Sequence, residues 1–399
     1  MNENGKDENQ SNLRKKLFEN KGLALIGSAD IIGMAITGVF WLTIATFLEV
    51  EEFGQIHYFL AIAGMAYIFA LIGTRNTITV YAAKKVNIVS TLIVFSLLAG
   101  AMSALIIFFI SNEFHASFLL LGFLVNDLSL GYLIGKKIFK SYSKYVLTQK
   151  ILTFLLGFGF YFVLGPEGII FALALSYIHF LFLIYKVLRT SPINFPALKP
   201  RVCFIANNYV YSVLGGLRSN VDKLIIVPLL GFTLLGNLVL AMQFYLILQI
   251  IPVIVFKYTL THDASNIPTT KVKLWSLSFA VIGCITTLVL APYIIPVFFP
   301  KFSEVVIAIQ ILSVCIIPDT IASIFYTSKF LGSEKSKNPL IATAIMVILT
   351  ALGIIILGPT YGIIGVSLSF VLASLGNFTY LFFANRTFEI SQNKQSYDY

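Results

Sequence analysis

The chain has 399 residues, of which 58% are hydrophobic and only 12% charged, and its formal net charge is +10. A soluble domain carries about 25% charged residues, so this composition excludes an ordinary soluble enzyme and predicts a bundle of membrane helices. The positive charge does not signal nucleic acid, because the basic residues fall in short loops between apolar stretches, as the positive-inside rule expects.

Taken in order, residues 1–21 form a polar, basic segment without a cleavable signal pattern. Its SNLRKKLFEN run is expected to lie on the membrane surface. Twelve apolar stretches follow, most close to the ~20 residues that cross hydrocarbon. They lie near 22–48, 54–73, 86–110, 114–135, 143–164, 168–188, 202–230, 234–256, 274–299, 304–328, 339–357 and 361–385. The expected class is an all-α polytopic membrane protein of about twelve helices. Two six-helix halves, 22–188 and 202–385, are joined by the basic, proline-containing linker 189–201, and a tail of 386–399 ends the chain.

One set of loops, with the two termini, carries 24 of the 28 Lys and Arg, whereas the opposite set carries only Lys301. Both termini are therefore expected in the cytoplasm of a cell-membrane protein. The outward acids Glu49, Glu51, Glu52, Glu113, Glu167 and Glu304 stand on loops too short to build a catalytic pocket. Cys203, Cys284 and Cys315 have unrelated spacings and read as buried structural thiols.

The halves repeat. Val163–Arg189 parallels Ile356–Arg386, each with Gly-Pro at the outer turn, and Leu48–Gln55 parallels Leu230–Asn237. Two six-span halves have the same sense across the membrane, so the repeats are parallel, a symmetry common in transporters whose substrate path runs between the halves.

Charged residues inside spans are costly and usually face a bundle interior or a water-filled cavity. Lys150, Arg218 and Lys223 are the buried cations; Asp30, Asp127, Asp222 and Asp319 are the buried acids. Asp127 and Lys150 have matching depths and are expected to pair across a helix contact. Arg218 and Asp222 are one turn apart and are expected to neutralise each other. Asn208, Tyr211, Gly215, Arg218 and Asp222 follow steps of three and four, which places them on one helical face. Asp319 follows Pro318, which removes a backbone donor and can kink the tenth span. His57 and His179 lack clustered ligands and read as structural hydrogen-bonding groups. No Walker, GxSxG or HExxH motif occurs, so neither ATP-driven pumping by this chain nor catalysis is expected, and no cofactor or metal.

Twelve spans in two halves, the stretch NVDKLIIVPLLGFTLLGN (Asn220–Asn237) and the turn-helix GPTYGIIGVSLSF (Gly358–Phe370) carry a resemblance. They resemble the polysaccharide-transporter branch of the multidrug/oligosaccharidyl-lipid/polysaccharide (MOP) exporter superfamily, which includes O-antigen and lipid-linked oligosaccharide flippases. In that branch an aspartate, a basic residue, an apolar run and a turn ending in Gly mark the seventh span; Asp222, Lys223 and Gly236 match. Gly165 and Gly168, and Gly358, Gly362 and Gly365, match its Gly-rich turns. The loop before the tenth span, FFPKF (Phe298–Phe302), lacks the usual glycine.

The resemblance implies a flippase that moves a polyprenyl-diphosphate-linked glycan by alternating access. Lys150, Arg218 and Lys223, with Asp222 and Asn208, would then line the diphosphate and glycan cavity, since cations offset a diphosphate and Arg pairs phosphate oxygens well. Asn207, Gln243 and Gln249 are further cavity candidates. Asp30, Asp127 and Asp319 would couple transport to H+ or Na+. The expected partners are the lipid-linked glycan, membrane lipids and the coupling ion, with no nucleic acid, and the expected assembly is a monomer. An ion-coupled exporter of cationic drugs or metabolites in the same superfamily is the nearest alternative; a membrane enzyme of glycan assembly and a non-transporting scaffold are alternatives of other classes.

Overall fold

A computed structural model describes residues 3–111, 114–263, 265, 267–302, 304–333 and 335–397, so Glu113 lies outside the described residues. These residues form helices joined by short turns, and no β-strand occurs among them. In chain order the helices are α1 (Glu3–Phe47), α2 (Val50–Ala70), α3 (Arg75–Ala83), α4 (Val89–Ser111), α5 (Phe114–Gly135), α6 (Phe139–Leu164), α7 (Pro166–Ser176) and α8 (His179–Thr190). After a 3-10 turn at Pro196–Arg201 come α9 (Val202–Asp263), α10 (Thr270–Phe298), α11 (Val305–Val314), α12 (Ile316–Thr320), a π-helical turn at Ile321–Thr327, α13 (Ser328–Gly332) and α14 (Lys337–Tyr397).

Among the described residues, ten helical stretches are long and apolar enough to cross a membrane. Two of them, within α9 and α14, are broken by glycines of positive φ, Gly231 (+82°) and Gly362 (+56°). With each break counted as a reversal, the described helices supply the twelve crossings expected. Backbone groups in hydrocarbon must be satisfied internally, which is why the spans are helical throughout. Their outward faces are apolar: Phe109, Val163, Tyr293 and Val297 are all more than 70% exposed. The chain is a multi-pass membrane protein.

The chain divides into two compact units, one of Met1–Phe40 with Ile62–Val213, the other of Trp41–Ala61 with Leu214–Tyr399. The first has a core around Ile78, Leu92, Leu124, Leu128 and Phe180. Within it α3 lies close along α5: a Cβ at Gly131 would meet the Arg75 carbonyl at 2.8 Å, and one at Gly135 would collide with the Thr79 carbonyl. The two small residues are four apart, the spacing that lets membrane helices approach closely. Thr79 Oγ1 donates to the Gly131 carbonyl at 3.0 Å, and Thr74 caps the start of α3 by accepting from the Thr77 N–H at 3.3 Å.

The second unit contains a reciprocal contact between two segments that the sequence repeat pairs. A Cβ on Gly54 would collide with the Phe232 carbonyl, and one on Gly236 would collide with the Val50 carbonyl. Each repeat thus places its glycine against the backbone of the other. Around this crossing Phe53 packs edge-on against Phe302 at 5.8 Å between ring centroids, Tyr58 against Phe232 at 5.6 Å, and Lys301 pairs with Glu49 at 2.8 Å.

At the ends of the halves the structure shifts the sequence register. The chain reverses at Gly165 (φ +75°), immediately before Pro166, which starts α7 at a position that needs no N–H. In the second half it reverses at Gly362, after Pro359, and not at Gly358–Thr360 as expected. Gly168 packs on the Phe160 carbonyl and Gly365 on the Leu357 carbonyl, each eight residues earlier. The structural equivalents are therefore Gly165 with Gly362 and Gly168 with Gly365; the Gly-Pro match is displaced by about one helical turn.

Candidate functional site

The first unit gathers its intramembrane charges in two groups. Tyr142 is buried on α6 and donates its hydroxyl to Asp30 Oδ1 at 2.9 Å. Lys150, two turns further along α6, runs its stem past Gly33 on α1, where a Cβ would meet Lys150 Cγ at 3.3 Å. Asp30 and Gly33 are about one turn apart on α1, so Lys150 lies within the electrostatic reach of Asp30. Lys150 forms no salt bridge among the described residues.

The second group corrects the expected Asp127–Lys150 pair. Asp127 is paired with Arg75, the first residue of α3. Asp127 lies one turn before Gly131, on the face of α5 along which α3 docks, whereas Lys150 is turned toward α1. Arg75 was expected in a loop as an orientation signal; the close approach of α3 brings it to the carboxylate.

In the second unit the expected Arg218–Asp222 pair is likewise replaced. Asp222 is 3% exposed and is held by its neighbour Lys223, whose Nζ lies 3.2 Å from both carboxylate oxygens and donates to the Ser219 carbonyl at 2.9 Å. The flexible lysine stem folds back onto its own helix, while Arg218 extends elsewhere. Arg218 lines a cavity of about 260 Å³ together with Gln249, Asp319, Thr320, Ser323 and Asn377. It forms no salt bridge among the described residues.

Asp319 is the acid of that cavity. It accepts short hydrogen bonds from Tyr245 and from Ser374, the latter at 2.5 Å, and Gln249 Nε2 donates to the Tyr245 hydroxyl at 2.5 Å. Pro318 precedes it, and the π-helical turn Ile321–Thr327 follows, with the Ser328 N–H reaching the Ser323 carbonyl. Such π turns change the facing of side chains within a helix and are frequent at functional sites. Here the turn brings Ser323 and Thr327 to the same cavity as Asp319. The hydroxyl of Thr320, 1% exposed, has no hydrogen-bond partner among the described residues.

Asn208 belongs to the first unit and donates to the Phe204 carbonyl of its own helix at 2.9 Å. The stripe from Asn208 to Asp222 is thus not uniform: Tyr211 and Arg218 are exposed while Asp222 is buried. His57 binds the Phe53 carbonyl at 2.9 Å, and His179 binds the Ser176 and Tyr145 carbonyls at 3.0 and 3.1 Å, as structural groups do. Cys284 and Cys315 are buried, but Cys203 is exposed, because it stands in the first turn of α9 on its outward face. Sequence reasoning missed Arg75, Tyr142, Tyr245, Ser374 and Asn377. The Gly131–Gly135 spacing beside Asp127 and the one-turn spacing of Tyr245 and Gln249 were the available signals.

No protein-family model and no curated protein matches the sequence. Solved structures do match. The lipid II flippase MurJ, in an inward closed conformation, aligns with a TM-score of 0.74 at 15% identity over 91% of this chain and 87% of that one. An inward-facing multidrug resistance MATE family transporter of the MOP superfamily aligns with a TM-score of 0.69 at 15% identity, over 92% and 96% of the two chains. An outward-facing MATE structure gives 0.62 at 17% identity, over 94% and 96%. The chain has the all-α polytopic fold of MOP-superfamily transporters.

Proposed function

We propose that this chain is a MOP-superfamily transporter that moves a polyprenyl-diphosphate-linked oligosaccharide, a polysaccharide precursor, across the cytoplasmic membrane by alternating access. The observation that carries the reading is Arg218. It is a guanidinium on a polar cavity, outside any salt bridge among the described residues, and the carboxylate sharing that cavity already accepts from Tyr245 and Ser374. Its planar fork suits phosphate oxygens, and the hydroxyl and amide groups of Thr320, Ser323 and Asn377 suit a sugar. Lys150, in the first unit, is assigned to the anionic substrate separately from that cavity. Asp222 and Lys223, which hold each other, are assigned to the integrity of α9, and Asn208 to its polar surface. The likeness to a lipid II flippase supports a lipid-linked substrate.

Asp30 and Asp319 each accept a tyrosine hydroxyl, an arrangement that can take up and release a proton, and we assign them to ion coupling. Asp127, held by Arg75, is assigned to packing. In reconstituted vesicles Arg218→Gln should insert and fold normally yet lower the flipping rate roughly tenfold or more, the scale of a lost charge-assisted hydrogen bond. Arg218→Lys should keep part of the rate. A wild-type rate in Arg218→Gln would sink the reading.

The second reading is export of cationic compounds, favoured by the same two carboxylates and by the MATE likeness. It predicts the opposite sensitivity: Asp319→Asn abolishes export of a cationic dye while Arg218→Gln spares it.

A further inference from the structure

The end of α13 and two stretches of α14 build a second polar feature, which shares no lining residue with the Arg218 cavity. Ala322, Phe330, Ala342, Leu381 and Phe388 form a small buried cluster. Beside it opens a cleft of about 440 Å³ whose polar lining is Lys335, Asn338, Tyr380 and Thr387 and whose apolar wall includes Phe383 and Phe388. The position of Lys335 is built. Its backbone N–H donates to the Phe330 carbonyl at 2.8 Å, and its ammonium sits 3.9 Å from the centroid of the Phe388 ring. Lys329 lies over the same ring at 5.8 Å. The cleft also lies at the start of α14, where the first-turn N–H groups favour negative charge. Its apolar wall continues outward through Phe383, which is 58% exposed.

A cationic point, neutral donors, a helix start and an exposed aromatic wall make an amphipathic site at the end of the spans that carries the basic loops. Basic pockets between membrane helices bind lipid headgroups. We infer that this cleft binds the phosphate of an anionic membrane phospholipid, with Lys335, Asn338, Tyr380 and Thr387 on the headgroup oxygens and Phe383 along the acyl chain. Nothing in the transport reading requires this site.

The test is native mass spectrometry of the full chain in neutral detergent, titrated separately with phosphatidylglycerol, phosphatidylcholine and soluble glycerol phosphate. Phosphatidylglycerol should be retained in preference to phosphatidylcholine, and Lys335→Gln should lower its retention roughly fivefold, the worth of one basic residue near an anionic headgroup. Lys335→Arg should retain it. Because Lys335→Gln also removes the contact with Phe388, Asn338→Leu and Thr387→Val provide variants that keep the lysine, and each should lower retention without changing thermal unfolding in lipid-free detergent. Equal retention of the two lipids, or of phosphatidylglycerol by wild type and all three weakening variants, overturns the proposal. Retention of glycerol phosphate that competes with the lipid also overturns it, by assigning the cleft to a soluble anion.

Discussion

Arg75 and Asp127 show what a single charge does here. Asp127 is 13% exposed at its side chain and Arg75 38%. Removing one member of a buried pair leaves the other uncompensated, at a cost of about 3–5 kcal/mol, and partial exposure lowers that figure. Arg75→Gln should therefore destabilise the protein by about 1–3 kcal/mol. Arg75→Gln with Asp127→Asn should recover most of the loss, because both charges leave together. Thermal unfolding in detergent, compared across wild type, single and double variants, checks this; equal losses in the single and double variants would contradict the pairing. The sequence shows that Asp127, Arg218 and Asp222 are costly and need partners, but not which partners. Sequence spacing favours Arg218 for Asp222, yet the adjacent Lys223 wins because its stem is long enough to curl back onto its own helix.

At the scale of elements, composition and hydropathy make the spans legible, because length and apolarity are all that a crossing requires. The departures occur where backbone geometry decides. A Gly-Pro pair reads as one kind of turn, but a proline is accepted both just after a reversal, as Pro166 is, and one turn before it, as Pro359 is. Only the positive φ of Gly165 and Gly362 identifies the reversals. Gly362 has φ +56° and ψ −134°, a conformation closed to side chains with a Cβ. Gly362→Ala should cost about 1–3 kcal/mol, seen as a lower unfolding temperature. Gly54→Val should cost at least about as much, because its Cβ would meet backbone atoms of Phe232 that cannot rotate away. Unchanged unfolding of Gly54→Val would mean that the two segments do not approach as closely as described. The π turn after Pro318 was half legible: the proline marks a break in hydrogen bonding, but not the side to which Ser323 and Thr327 turn.

For the whole molecule, the asymmetry of the basic loops gives the proposed orientation. Single cysteines at Glu167 or Thr360 should react with an impermeant thiol reagent added outside cells, and those at Lys140 or Lys335 should not; the reverse labelling pattern would invert the orientation. The cavity proposed as functional was less legible than the fold. Arg218 and Asp319 stand out as intramembrane charges, but Tyr245, Ser374 and Asn377 are ordinary residues in apolar helices, and only folding brings them together.

The crossing of Gly54 and Gly236 bears on how the polypeptide can be divided. The linker 189–201 looks like the natural place to cut, yet Trp41–Ala61, encoded long before it, packs in the unit otherwise built from Leu214–Tyr399. A gene split at the linker would thus make a C-terminal fragment that lacks one of its own packing surfaces, with the Gly236 backbone left bare in the bilayer. Such fragments should be degraded when produced singly and rescued when produced together, as in a complementation assay. Adding residues 41–61 to the C-terminal fragment should restore much of its lifetime in the absence of its mate.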